Sequence, residues 1–194
     1  MKRIEQYYNN TESEKPRNNV KYLIDEVKCN PSKAIELGCG AGNDTVFLIK
    51  NEWNVLAIDR ECVEERIAKR LSNKELKKFR FQKQDFESIE LEKSNLIVAN
   101  YSLPFCDKDK FEELWNKINN CILEGGYFVG NFFGKNDTWI ETNSQMTFLD
   151  KKQVMELFKD FKIIRFKEIE KDGLTGLGKI KHWHIFDVIA KKKL

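Results

Sequence analysis

Residues 36–44 read ELGCGAGND. Glycine stands at 38, 40 and 42, only small residues fill the gaps, and the run grows out of the short apolar segment KAIELG (33–38). The next segment, NDTVFLIKNEW (43–53), reads as a helix with Asn43 or Asp44 at its start. A Gly-rich turn between a strand and its helix lets a ligand touch bare backbone and the helix N-terminus. The spacing separates the ligands such a turn serves. The nicotinamide-dinucleotide fingerprint is G-x-G-x-x-G, whereas here the glycines run G-x-G-x-G and Asn43 comes next. Glu36 also sets a carboxylate at the loop, which repels a pyrophosphate and attracts an ammonium group. The ligand that fits is adenosine carrying a cationic, amino-acid-like tail.

Outward from this loop, apolar strands alternate with helical stripes. NVLAID (54–59), KFRFQKQD (78–85), NLIVAN (95–100) and GGYFVGNFF (125–133) read as strands two to five. Val63, Ile67 and Leu71 form one stripe, and Phe111, Leu114, Trp115, Ile118 and Ile122 another. Val20, Leu23, Ile24 and Val27 mark a helix before the first strand, capped by Asn18 or Asn19 and stopped by Asn30-Pro31. Asp150 and Gln153 predict a capping box, with Leu149 and Val154 as a hydrophobic staple. Two strand-like segments, 161–169 and 182–190, close the chain with only a Gly-rich loop between them, which predicts an antiparallel pair. Alternating β and α units predict an α/β fold, a mostly parallel sheet with helices on both faces, in one domain over residues 1–194. Ligands of such sheets sit at the carboxyl ends of the strands.

Composition narrows the function classes. Lys and Arg total 34 against 31 Asp and Glu, and the signs are interspersed. That lacks the basic face of a dedicated nucleic-acid binder. No apolar run is long enough for a membrane span, and the polar N-terminus lacks a signal-peptide core, so a cytoplasmic location is the expectation. The five cysteines, 29, 39, 62, 106 and 121, include no C-x-x-C pair, which argues against a disulfide framework or zinc site and for mostly buried thiols.

Two further acids stand just after strands. Asp59 ends the second strand, where an acid accepts both ribose hydroxyls of a nucleoside; the plain alternative is a cap for the helix beginning near Glu61. Asp85-Phe86 comes after the third strand, where the acid suits an exocyclic amine and the phenyl ring or backbone amide suits an adenine.

In this order the residues resemble the class I S-adenosylmethionine-dependent methyltransferases, from about residue 20 to the end. ELGCGAG matches the first motif, AIDR (57–60) the second, QDF (84–86) the third and NLIVANYSLPF (95–105) the fourth. The chain is most similar in flavour to the small tellurite-resistance and thiopurine-type enzymes. The resemblance implies a Rossmann-like, doubly wound sheet of seven strands in the order 3-2-1-4-5-7-6, with the last strand antiparallel. It implies S-adenosyl-L-methionine as cofactor, held by Glu36, Gly38, Cys39, Gly40 and Gly42 at the methionine moiety. It assigns Asp59 and Arg60 to the ribose segment, Asp85 and Phe86 to the adenine, and Asn100 and Tyr101 to the transferred methyl. NYSLPF lacks the Pro-Pro of enzymes that methylate amino groups of nucleic acids. The expected acceptor is therefore a small molecule, with no nucleic acid, membrane or metal involved. The rival readings are a methyltransferase of nucleic acid or protein, and a cofactor-binding protein without catalysis.

Other residues stay open between function and packing. Residues 1–19, with Tyr7, Tyr8 and Arg17, suit either a flexible arm or a lid. Arg17 suits an anion clamp or a plain surface position. His182 and His184 lie on one side of a strand and suit a metal, a base or ordinary packing. Tyr101, Phe105 and Trp139 suit the walls of an acceptor pocket, and residues 172–180 a lid or a simple hairpin loop.

Overall fold

The structure is a computed structural model and describes residues 3–194. Strands β1 (Lys33–Leu37), β2 (Asn54–Asp59), β3 (Phe79–Lys83), β4 (Ser94–Ala99) and β5 (Ile122–Gly134) alternate with helices, and β7 (Phe161–Leu174) and β8 (Ile180–Lys192) close the chain. They lie in the order β3-β2-β1-β4-β5-β8-β7. β1 to β5 are parallel, and β8 runs antiparallel to both its neighbours. This is the expected order with one addition. β6 (Phe148–Leu149) makes an eighth strand, pairing in parallel with Phe133 and Gly134 at the end of β5. β5 is long enough to leave that end for a partner, and two residues are too few to show alternation in a sequence.

Alternation in the strands builds two cores. Ile35, Leu37, Leu56, Ile58 and Ile97 face one way, toward α6 (Phe111–Cys121) and α8 (Lys151–Leu157), with the short α7 (Trp139–Thr142) between those two in the chain. Trp115, Phe128, Phe132 and Phe158 meet there mostly edge to face, with centroids 5.1–5.9 Å apart. Ala34, Val55, Ala57 and Val98 face the other way, toward α1 (Arg3–Thr11), α2 (Asn18–Tyr22), α3 (Asn43–Lys50) and α4 (Glu64–Ala68). Covering both faces leaves the strand ends as the place where polar groups gather.

Local departures have local causes. Neither Asn18 nor Asn19 caps α2: Arg17 occupies that position without a side-chain bond, and Asn19 turns inward to Asn100 and Asp187. The helix continues as a π-turn over Leu23–Val27 and ends at Lys28 in the left-handed region (φ 54°), before Asn30-Pro31. Gly42, not Asn43 or Asp44, stands at the cap of α3. That helix stops at Lys50, because Glu52 (φ 71°) turns the chain to bury Trp53. The stripe through residues 63–71 breaks after Ala68, and α5 (Asn73–Leu76) begins afresh under a Ser72–Glu75 capping box. The Asp150–Gln153 box forms as expected and opens α8. Residues 3–11 are a helix rather than a flexible arm, with Tyr8 and Thr11 buried. Among the described residues, no helix is long and apolar enough to cross a membrane.

Candidate active site

β1, β2 and β4 end side by side, and the glycine loop leaves β1 between its neighbours. Gly38, Gly40 and Gly42 all have positive φ, 68°, 53° and 76°. Their surroundings differ. A Cβ on Gly38 would collide with Ser102, and one on Gly42 with Ile67. A Cβ on Gly40 would meet only the Tyr8 ring, at 3.9 Å. The protein's own packing therefore demands the outer two, and Gly40 is the bare one beside open space.

Three buried carboxylates surround this loop. Glu36, on β1, accepts from the Thr45 hydroxyl of α3. Asp44 accepts the Arg17 amide at 2.7 Å and the Asn100 side-chain amide at 2.9 Å. Asp59, at the end of β2, accepts the Gly40 amide at 2.8 Å, the Glu61 amide at 3.0 Å and the Tyr8 hydroxyl at 3.4 Å. Its bond to Glu61 shows that Asp59 does brace the turn after it. Burial, with Asp44 and Asp59 close by, holds the Glu36 carboxyl well above the usual glutamate range; burial also raises Asp44. The Cys39 thiol is pushed up by burial and by Glu36 and Asp59, which makes it a poor nucleophile. Cys106 and Cys121 are buried likewise, while Cys62 is exposed.

A second layer orients the end of β4. Asn19 donates to Asn100 at 2.7 Å and to Asp187 at 2.6 Å, and Asn131 donates to Asn100 at 3.3 Å. Asn131 also accepts the Tyr101 amide at 2.7 Å. Tyr101 has φ 53°, a costly conformation for a large side chain that this bond helps hold. The Arg17 guanidinium lies 4.8 Å from the Tyr101 ring centroid. Next along the chain, the Ser102 hydroxyl is buried beside Gly38 without a hydrogen-bond partner among the described residues.

α1 covers the loop. Arg66 pairs with Glu12 at 2.5 Å and Glu5 at 2.6 Å, and Lys69 pairs with Glu12 at 2.6 Å. Asn43 donates to the Thr11 carbonyl at 2.8 Å, and Asn10 to the Gly176 carbonyl at 3.0 Å. Gly176, in the β7–β8 turn, sits so close to Tyr7 that no Cβ would fit. The N-terminal helix thus spans from the glycine loop to the hairpin.

The remaining sequence candidates are less enclosed. Asp85 and Phe86 come after β3, next to the end of β2; Asp85 is exposed and Phe86 packs on the core. Arg60 is exposed at the turn after Asp59. His182 bonds to Asp172 at 2.7 Å and Glu170 at 3.3 Å, and His184 to Glu168 at 3.2 Å. Among the described residues, no group of three or more His, Cys, Asp and Glu is placed to hold a metal ion. Sequence reading passed over Thr45, Ser102, Asn131 and Asp187. Asn131 left a signal, a polar residue inside an otherwise apolar strand; Asp187 is legible only through Asn19, far away in the chain.

The sheet order and the glycine loop define the class I methyltransferase fold, and solved structures of that class superpose on it. The TehB structure from Haemophilus influenzae matches with TM-score 0.73 and 17% identity, over 91% of this chain and 62% of that one. The N-methyltransferase NodS from Bradyrhizobium japonicum WM9, in complex with S-adenosyl-L-homocysteine, matches with TM-score 0.70 and 15% identity, over 97% and 96%. The 1,6-didemethyltoxoflavin-N1-methyltransferase from Burkholderia thailandensis matches with TM-score 0.68 and 16% identity, over 92% and 78%. At these identities the likeness is one of fold. No curated protein matches the sequence. The family profile described as tellurite resistance protein TehB covers residues 2–174, and the chain belongs to that family. It spans about three fifths of the Haemophilus protein's length.

Proposed function

We propose that this protein is a methyltransferase that takes its methyl group from S-adenosyl-L-methionine and passes it to a small nucleophile. The carrying observation is the convergence of the bare Gly40, the unpartnered Ser102 hydroxyl and the acids Glu36, Asp44 and Asp59 at the strand ends. This donor set fits a ligand with an ammonium at one end and a ribose at the other. When bound, the cofactor supplies a methyl group already activated on a sulfonium.

The chain's own tasks are then positioning and exclusion of water. Glu36 and the loop take the cationic tail; an ammonium nearby counters the burial that raises the Glu36 carboxyl. Asp59 accepts the ribose hydroxyls while keeping its bonds to Gly40 and Glu61. Asp85 and Phe86 stand at the neighbouring strand end, where the adenine falls. Asn100 and Tyr101 flank the methyl. α1, with Tyr8 on Asp59, acts as the lid, because the helix lies directly over the loop. A small acceptor suits a site under such a cover and a surface of balanced charge, 34 basic against 31 acidic residues.

Calorimetric titration with S-adenosylhomocysteine, beside NAD and NADP at equal concentration, tests the reading. The expected result is binding of the first with a raised melting temperature. Preference for a nicotinamide nucleotide would overturn it.

A further inference from the structure

Arg66 and Arg70 both reach α1 from the segment through α4, and they use it differently. Arg66 takes the carboxylates of Glu5 and Glu12. Arg70, partly buried four residues later, makes no ion pair among the described residues. Its guanidinium goes to three neutral oxygens instead. One terminal nitrogen donates to the Glu12 carbonyl at 3.1 Å and to the Asn43 side-chain carbonyl at 2.8 Å; the other donates to the Ala41 carbonyl. An arginine kept for charge balance would take a carboxylate. A lysine could not replace this one, because its ammonium is a single point and the oxygens lie around a fork.

These oxygens belong to the two parts that must meet. Ala41 stands between Gly40 and Gly42, both at positive φ, so its neighbours do little to fix its peptide. The guanidinium lies against that peptide: a Cβ on Gly42 would come within 3.0 Å of the Arg70 Nη2. Glu12 follows the last residue of α1, Thr11, whose own carbonyl accepts from Asn43 at 2.8 Å. A helix C-terminus leaves carbonyls without partners and carries partial negative charge. Here the end of α1 rests on Asn43, which begins α3, and on Arg70, which grips the loop. The bond from Tyr8 to Asp59 also joins α1 to the site, but at 3.4 Å it is longer.

We propose that Arg70 is a positioning residue that couples the glycine loop to α1, so that filling the loop with cofactor tightens the helix over it. The proposal rests on the methyltransferase reading, in which the loop holds S-adenosyl-L-methionine. A ligand that fixes the loop holds the Ala41 carbonyl in place, and with it the guanidinium that serves Glu12 and Asn43. By linkage, a seated α1 favours the ligand to the same extent.

The test begins with S-adenosylhomocysteine binding by calorimetry. Its absence would defeat the methyltransferase reading itself, and this proposal with it. Hydrogen exchange read by mass spectrometry then follows the amides of residues 3–12, with and without saturating S-adenosylhomocysteine. In the wild type the ligand should slow their exchange. Arg70→Met, which loses every donor, should bind the ligand roughly five- to tenfold more weakly and lose most of the slowing even at saturation. Arg66→Met is the contrast. It removes ion pairs from α1, so exchange should quicken in both states while the ligand-dependent slowing stays. Arg70→Lys keeps the charge, should the methionine variant not fold, and its single ammonium should restore only part of the slowing. Three results overturn the proposal: the ligand binds the wild type without slowing α1, either Arg70 variant is slowed as much as the wild type, or Arg66→Met loses the slowing as well.

Discussion

The two halves of the site are built from opposite materials. At the ends of β1 and β2, three buried acids crowd a bare loop, with Glu36 and Asp44 both raised in pKa. At the ends of β4 and β5, and across to β8, the walls are the rings of Tyr101, Phe133, Trp139 and Trp183, and the buried charges Lys181 and Asp137 satisfy each other. The first half is electrostatically incomplete and suits a ligand that brings a cation and hydroxyls. The second is complete in charge. Under the proposed function this division has a use, because one partner must be gripped by its polar groups while the other is aligned and kept dry.

The largest effect should come from unbalancing the complete half. Asp137 accepts from Lys181, Trp139 and His184. Asp137→Ala leaves a buried ammonium alone and should cost about 3–5 kcal/mol of stability. Adding Lys181→Met should restore much of it, and denaturant midpoints decide. A loss under about 1 kcal/mol would mean the ammonium finds water, and the contrast between halves would fail.

Next comes Asp59→Ala, expected to weaken S-adenosylhomocysteine by roughly 1.5–3 kcal/mol, or about 10–150-fold. Unchanged affinity in calorimetry would remove Asp59 from the site. The same titration on Asp137→Ala should give wild-type affinity, which sharpens the division.

Gly40 and Gly42 offer a finer comparison. Gly42→Ala drives a methyl into Ile67 and should destabilise by about 1–3 kcal/mol. Gly40→Ala carries only the strain of its backbone and should hurt ligand binding more than folding. Equal stability losses in thermal melts would mean that Gly40 too serves packing.

The smallest effect concerns protons. Glu36 is raised, so the folded chain still holds a proton that the unfolded chain has lost once pH passes the usual glutamate range. Stability therefore falls as pH climbs through that interval. Glu36→Gln has no proton to lose. Its melting temperature should exceed the wild type's near about pH 8 and converge on it near about pH 4, while its ligand affinity falls. Parallel pH profiles for the two proteins would show that Glu36 is ionised in the folded chain.

Much of the architecture was legible because it is written in local periods. KAIELG, NVLAID and NLIVAN announced strands, the stripes between them announced helices, and the absence of a helix before residue 182 announced the antiparallel pair. That the glycine loop, Glu36 and Asp59 gather at one end of the sheet was legible because each stands on or just after a predicted strand. The capping of α2 was not. Asn19 has a cap's chemistry, yet two partners distant in sequence, Asn100 and Asp187, outcompete the helix end. Nor was α1: its polar, tyrosine-bearing sequence suits an arm or a lid alike, and Arg66 and Lys69 supply the partners for Glu5 and Glu12 that seat it as a helix.

By itself, then, the sequence determined the alternation of strand and helix and the acids that stand at the loop, while the strand order came through the family resemblance. Periodicity and turn chemistry act over a few residues, so the chain carries them openly. Only the tertiary structure decided which glycine is bare, that burial raises the Glu36 carboxyl, and that Lys181 is paired with Asp137 beside a cluster of rings. Steric room and desolvation are set by atoms that arrive from elsewhere in the chain. Ile67 closes in on Gly42, Asp44 raises Glu36, and Asp137 meets Lys181 only once the sheet has formed.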